Sequence, residues 1–288
     1  MLRYWIAGAP GNWTDTANWS TSSGGAGGAS IPIIDTTAVF DSNGLGTCTL
    51  DASAWIRGLQ FSSGFTGIFN QNSNEMLIGS VGGSFLDGIF QGSGNDIRVA
   101  GDLFIGGACQ FQNTDTTLGF DSTFIYSPTT GSFTHNNGLV SMDGTQANLD
   151  ASGYSFYRLQ FNTYDGRLNS SCFVEDTLYL QSGYVGQGVI GSEVHLLNDL
   201  SCGTNYNEWG EGNNLNLIFD GTDKQVLYNE LGSVLPTVIV NKTDSCVICG
   251  EESIYVTCEG DSPIFVRGNF LVQDGTFNMN DHDFQVGI

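Results

Sequence analysis

Ile97-Arg98-Val99-Ala100-Gly101-Asp102-Leu103-Phe104-Ile105-Gly106-Gly107 reads as an apolar pair, a short polar step, a second apolar run and a glycine. The same order returns in Phe173-Val174-Glu175-Asp176-Thr177-Leu178-Tyr179-Leu180-Gln181-Ser182-Gly183-Tyr184. It returns again in Phe265-Val266-Arg267-Gly268-Asn269-Phe270-Leu271-Val272-Gln273-Asp274-Gly275-Thr276-Phe277. Each copy lays two strands around a corner and leaves inward side chains that one coil cannot hide alone, so the next coil must cover them. The pattern predicts an all-β chain folded as a parallel β-helix, or β-solenoid.

A longer unit points the same way. Leu139-Val140-Ser141-Met142-Asp143-Gly144-Thr145-Gln146 leads into Tyr154–Asn162, and Leu217-Ile218-Phe219-Asp220-Gly221-Thr222-Asp223-Lys224-Gln225 leads into Leu235–Asn241. Both run strand, Asp-Gly-Thr turn, Gln, loop, and a strand ending in Asn, too far apart to be neighbouring coils. From about residue 46 onward short apolar runs recur, bounded by Gly, Asn, Asp and Ser and with no helical period. Forty glycines among 288 residues, with only 13% charged residues, suit tight turns and are poor material for long helices. Gly and Asn at the ends of runs can supply positive φ.

Residues 1–45 differ from 46–288. Trp5, Trp13 and Trp19 fall here, beside Ser22-Ser23-Gly24-Gly25-Ala26-Gly27-Gly28. This is read as a Trp/Gly-rich N-terminal module that anchors the solenoid to a partner or caps its open end, with the three tryptophans as the contact residues. The opening Tyr4-Trp5, Gly11-Asn12-Trp13, Asn18-Trp19-Ser20, Pro32 and Val39-Phe40-Asp41, followed by the Asp-Gly-Thr units and Gly275-Thr276-Phe277-Asn278-Met279-Asn280, resembles repetitive parallel β-helix proteins. These occur among phage fibres and virion appendages and among autotransporter-like bacterial surface proteins. The resemblance implies a β-helix with a surface or virion role and brings no catalytic residues.

Thirty acidic residues against eight basic ones give a formal charge of −22, which repels phosphate backbones and anionic lipid. Nucleic acid is therefore not an expected partner, and neither is membrane insertion, since no stretch approaches ~18 apolar residues. A solvated acidic surface keeps a repetitive assembly soluble; holding divalent cations is the alternative use. The N-terminus has no apolar core of a secretory signal, which favours the virion over the bacterial surface. Seven scattered cysteines form no disulfide framework and read as small core hydrophobes. The terminal run Asp281–Ile288 reads as an uncapped strand, covered by a partner or continued by further chain.

Candidate chemistry is sparse. Cys246-Val247-Ile248-Cys249 is a lone C-x-x-C on a strand-like run, where positions i and i+3 face opposite sides. His135, His195 and His282 stand alone, and Asp281-His282-Asp283 reads as a solvated turn. Asp143, Asp220 and Asp223 fall in turns, where Asp has a backbone role, and Glu208, Glu211, Glu251 and Glu252 have no recognisable spacing. No catalytic, metal or cofactor residues are assigned. Tyr206 and Trp209, in a polar loop, are the candidate sugar-stacking pair.

The expectation is a non-enzymatic structural virion protein, a fibre, spike or decoration subunit. It would contact other virion proteins and form a homo-oligomer, a trimer for a fibre or spike. The alternatives are a bacterial adhesin binding host-surface glycan and a polysaccharide-degrading tail spike.

Overall fold

The computed structural model describes residues 1–206, 215–223, 225–229, 234–241, 255–259, 264–266, 269–274, 276–278 and 284–286. The chain is a β-solenoid: among the described residues the elements are strands, apart from one 3-10 turn at Thr16–Asn18. No helix among them is long and apolar enough to cross a membrane. The chain divides into two compact units, Met1–Val140 and Ser141–Ile288.

In the first unit, Thr37–Phe40, Ala54–Phe61 and Met76–Phe85 pair in parallel, one coil after another. The strands Ile97–Val99 and Leu103–Gly107 then lie on the two halves of Met76–Phe85, turned about Ala100-Gly101-Asp102 as the repeat predicts. Thr117–Phe120 and Thr123–Pro128 repeat the arrangement one coil further. A second sheet runs Gly11–Asn12, Cys48–Thr49, Ile68–Asn70, Ile89–Gln91, Gln110–Gln112 and Ser132–Thr134, all parallel.

In that second sheet Cys48, Phe69, Phe90 and Phe111 stand in register, their numbers rising by 21 at each rung, so these coils are 21 residues long. Phe90 and Phe111 stack with centroids 4.5 Å apart and planes 4° from parallel; Phe111 and Phe133 follow at 5.6 Å and 5°. A slip of one residue would turn every one of these rings to solvent, and burial of each contributes roughly 1.5–3 kcal/mol, so register is held by the core itself.

The first coil is closed by tryptophan. Leu2–Trp5 pairs in parallel with Thr37–Phe40 and antiparallel with Trp19–Ser20, which places Trp5 opposite Trp19. The centroids of Trp5 and Trp13 lie 5.3 and 4.8 Å from that of Trp19, edge to face, and Trp19 rests on Phe40. The indole N–H of Trp5 donates to the Gly46 carbonyl at 3.0 Å, and that of Trp19 to the Trp13 carbonyl at 2.7 Å. Large rings with both polar groups satisfied can end a stack without exposing it.

In the second unit, Ser155–Leu168 and Cys172–Gln187 run around corners and pair along most of their length, with three register shifts. Glu193–Leu196 and Asp199–Tyr206 lie on the two halves of Cys172–Gln187, so the second copy of the repeat also spans a corner. Asn216–Phe219, Thr237–Asn241 and Phe270–Asp274 continue one face; Gln225–Asn229, Tyr255–Glu259 and Thr276–Asn278 continue the other. Val174, Leu196, Phe219 and Val240 form a fully buried column down the first face. Val234–Leu235, Ile264–Val266 and Phe284–Val286 make a third, short ladder.

The two Asp-Gly-Thr units both follow a strand but diverge after it. Gln225 is buried, and its amide donates to the carbonyls of Leu196 and Asn198 while its oxygen accepts from Gly221 N–H, tying the turn to the coil before it. Gln146 is exposed. Gly221 does not adopt positive φ; a Cβ there would lie 2.0 Å from the Leu197 carbonyl oxygen, and this close approach is what demands glycine.

Part of the acidic count is structural rather than merely solvated. Carboxylates reach across to backbone N–H groups of a neighbouring coil: Asp87 to Gly64 at 2.6 Å, Asp115 to Gly94 at 2.5 Å, Asp96 to Thr117 at 3.1 Å and Asp199 to Val226 at 2.8 Å. Asp102 accepts from both the Thr123 N–H and the Ser122 hydroxyl. Asp51 does the same for Thr14; burial works to raise its pKa, but the Thr14 hydroxyl and N–H outweigh that and hold it below the usual carboxylate range.

Candidate functional site

Trp5, Trp13 and Trp19 are 0, 2 and 0% exposed. They face inward and close the aromatic column, so an anchoring contact by the rings themselves has no exposed surface to use. Trp209 lies outside the described residues, and Tyr206 is described through its backbone, which sits in register with Gly183. Gly183 is itself in register with Thr163, so Tyr206 shares a lateral row with the residues just before Tyr164 and Tyr184.

Those two tyrosines form the aromatic corner of the second unit. The ladder shifts register between Thr163 and Gly166, and such a bulge re-aims the side chains inside it. Tyr164, within the bulge, is 75% exposed. Its ring centroid lies 6.4 Å from that of half-buried Tyr184, at 60°. Gly183 takes φ +69, and a Cβ there would lie 1.9 Å from the Thr163 carbonyl oxygen, so only glycine brings the two coils this close. Desolvation, then a hydrogen bond to the Asp165 carboxylate and that carboxylate's charge, push the Tyr184 pKa up. The Arg167 guanidinium completes the group, 3.4 Å from Asp165 Oδ1. One exposed phenol face, one anchored phenol and an ion pair are groups that stack on and hydrogen-bond a polyhydroxylated ring.

The second cluster is built by pairing between coils. His195 lies in Glu193–Leu196, in register with Phe173 on one side and Ile218 on the other. Its Nδ1 meets Asp220 Oδ2 at 2.7 Å, and its Nε2 lies 3.7 Å from Glu193 Oε2. Phe173 stacks on the ring at 4.7 Å. Asn216 donates to the other Glu193 oxygen at 3.2 Å. The bond to Asp220 raises the His195 pKa; burial opposes it, and the two carboxylate charges add to the rise. No single stretch of sequence shows this group, because Asp220, Asn216 and Phe173 stand a coil away from the Glu193-His195 pair. A search for polar residues about one coil apart could have found it.

The other candidates resolve into structural roles or fall outside the description. Asp143 accepts from Ser141 Oγ at 2.7 Å and from Asn162 at 3.2 Å, while Asp223 is exposed. His135 Nδ1 accepts from Asn137 N–H. Cys48, Cys109, Cys172 and Cys202 are buried, and burial pushes the Cys109 and Cys172 thiols up to about 12. Cys246, Cys249, Glu208, Glu211, Glu251, Glu252 and Asp281-His282-Asp283 lie outside the described residues, and Cys258 is described only as backbone of Tyr255–Glu259.

No protein-family model matches the chain, and no curated protein or solved structure matches it.

Proposed function

We propose that this chain is a structural, non-enzymatic subunit of a phage virion, a fibre, spike or decoration protein that assembles as a homo-oligomer, a trimer for a fibre or spike, alongside other virion proteins. The observation that carries the reading is the parallel stacking of coils, rung on rung, over buried columns such as Phe69-Phe90-Phe111 and Val174-Leu196-Phe219-Val240. Each coil satisfies the backbone hydrogen bonds of the next, which resists proteolysis and force, the demands on an appendage outside a cell. The test is to raise antibody to the purified chain and look for it on particles of a phage that encodes it, by immunogold imaging and peptide mass spectrometry. Its presence at stoichiometric copy number supports the reading; recovery only from host envelope fractions overturns it.

One observation favours a second reading, a surface protein that binds glycan: the exposed Tyr164 ring beside Tyr184, Asp165 and Arg167. A glycan array probed with wild type and with a Tyr164→Ala, Tyr184→Ala double variant tests it. Sugar binding lost in the variant supports this reading, and no binding by either protein removes it.

A further inference from the structure

In Ala54–Ile56, Met76–Ile78 and Ile97–Val99 inward and outward residues alternate, so the outward ones form a face of their own. Ala54, Ile56, Met76, Ile78, Ile97 and Val99 point inward and are buried. Trp55, Leu77 and Arg98 lie between them in one lateral row on the outer side. Trp55 is 58% exposed, an unusual place for an indole in a chain that buries three others within its first twenty residues. Beside it Ile34, Leu77, Gly79, Arg98 and Ala100 complete a groove of about 220 Å³ that is almost wholly apolar.

The groove belongs to a wider patch. Leu2, Thr37, Gly58 and Gly82 are in register across four strands, which brings exposed Leu2 and Val81 to the same corner as Arg57. Ile33, next in sequence to the groove-lining Ile34, is 50% exposed. It stands on a fixed turn: its N–H donates to Thr36 Oγ1 at 2.6 Å, and its carbonyl accepts from both the Thr36 N–H and hydroxyl. Single apolar residues on a surface are ordinary, whereas a contiguous apolar face over successive coils marks an interface.

The charges around the patch indicate what covers it. The chain carries eight basic residues against thirty acidic ones, so most of its surface repels a second copy. Here Arg57 is exposed with no acidic partner among the described residues, and Arg98 is exposed and bound on one side to Asp121 at 3.0 Å. Asp35, next to the Ile33-Ile34 ridge, is exposed. The face thus holds an apolar ridge next to an acid and an apolar groove next to two guanidinium groups, a pattern complementary to itself.

We propose that this face is where two copies of the chain meet, with Ile33 of one copy seated in the Trp55–Leu77 groove of the other and Asp35 set against Arg57. Ridge and groove lie side by side and share Ile34, and the Thr36 carbonyl accepts from the Arg57 N–H, so a two-fold axis through this face sets the ridge of each copy on the groove of the other. The inference goes beyond the virion reading and holds for an oligomer on any particle.

The experiment is light scattering on the purified full chain at roughly 100 µM and after dilution, since association is concentration-dependent, with acrylamide quenching of tryptophan and far-UV circular dichroism on each variant. Expected for wild type is a mass that is a multiple of 30.8 kDa, with quenching that rises on dilution as Trp55 is uncovered. Ile33→Asp and Trp55→Ser keep the wild-type dichroism and fall to the monomer mass. Tyr164→Ala, exposed on the other unit, keeps the oligomer. Arg57→Asp weakens association at least about tenfold, about 1.4 kcal/mol, and the double exchange Asp35→Arg, Arg57→Asp restores it. A wild type that is monomeric at the highest concentration overturns the proposal. So does an oligomer that survives Ile33→Asp and Trp55→Ser, which moves the contact elsewhere and leaves the appendage reading intact. Glycan capture lost in Trp55→Ser with no change of mass would also overturn it, naming a sugar as the occupant.

Discussion

Phe90 lies between Phe69 and Phe111, its centroid 5.3 Å from one ring and 4.5 Å from the other, and it is fully buried. The rungs above and below are held by parallel backbone ladders, so the space left by a smaller side chain cannot close by a shift of one coil. Phe90→Ala is expected to cost about 3–5 kcal/mol, at the upper end for core truncations, and Phe90→Leu much less. Urea unfolding at constant m-value measures both. The recurrence Phe69, Phe90, Phe111 stands openly in the sequence. It is easy to pass over, because strands of three residues such as Gln110-Phe111-Gln112 carry a single apolar position and show no period. The opening tryptophans are legible as a closing device, whereas the direction their rings face depends on Trp19 pairing antiparallel with Trp5, which no local pattern encodes. Tyr164 escapes for another reason: its exposure follows from a bulge, and bulges have no reliable signal in residue type.

Between elements, the interactions join residues one coil apart, and two of them make distinct predictions. The first is Asp102, whose carboxylate takes the Ser122 hydroxyl at 2.6 Å and the Thr123 N–H at 3.1 Å on the following coil. Asp102→Ala is expected to cost about 1–2 kcal/mol, and Asp102→Asn less, because the amide oxygen still accepts one bond. Chemical unfolding of the two variants checks the order. The second is His195, which is stabilised as a cation by Asp220 and Glu193. Its folded pKa lies above the unfolded value, so the stability it contributes is full below the unfolded pKa of about 6.5 and is lost as pH rises through the folded one. The contribution is about 1 kcal/mol, the scale of a partly exposed pair. The gap in melting temperature between wild type and His195→Gln should be larger at about pH 5.5 than at about pH 8.5; an equal gap would remove the charge argument. The corner repeat built on Ile97–Gly107 is readable because each copy is contiguous in sequence. The His195–Asp220 pair is not, because coil length varies. Cys48 and Phe69 are 21 residues apart, whereas Leu227 and Cys258, also in register, are 31 apart.

At the scale of the whole chain, a formal charge of −22 acts on every coil at once. The cross-coil carboxylates at Asp87, Asp96, Asp102, Asp115 and Asp199 give back some stability locally through backbone N–H groups. Their mutual repulsion remains, and unfolding relieves it by moving the charges apart. Screening acts on that repulsion, since the Debye length falls from about 30 Å at 0.01 M salt to about 8 Å at 0.15 M. The hydrogen-bonded carboxylates are in contact with their partners and are screened much less. Stability should therefore rise with sodium chloride over that range, by about 1–2 kcal/mol or about 2–4 °C in the lowest melting transition, opposite to what a fold held by surface ion pairs would show. Calcium separates this screening from a true cation site. If the carboxylates serve as coil-to-coil acceptors, calcium and sodium at matched ionic strength give melting curves that superpose closely. An added rise that saturates at sub-millimolar calcium would instead mean that acidic side chains converge on an ion, and calorimetry with a calcium titration distinguishes the two outcomes.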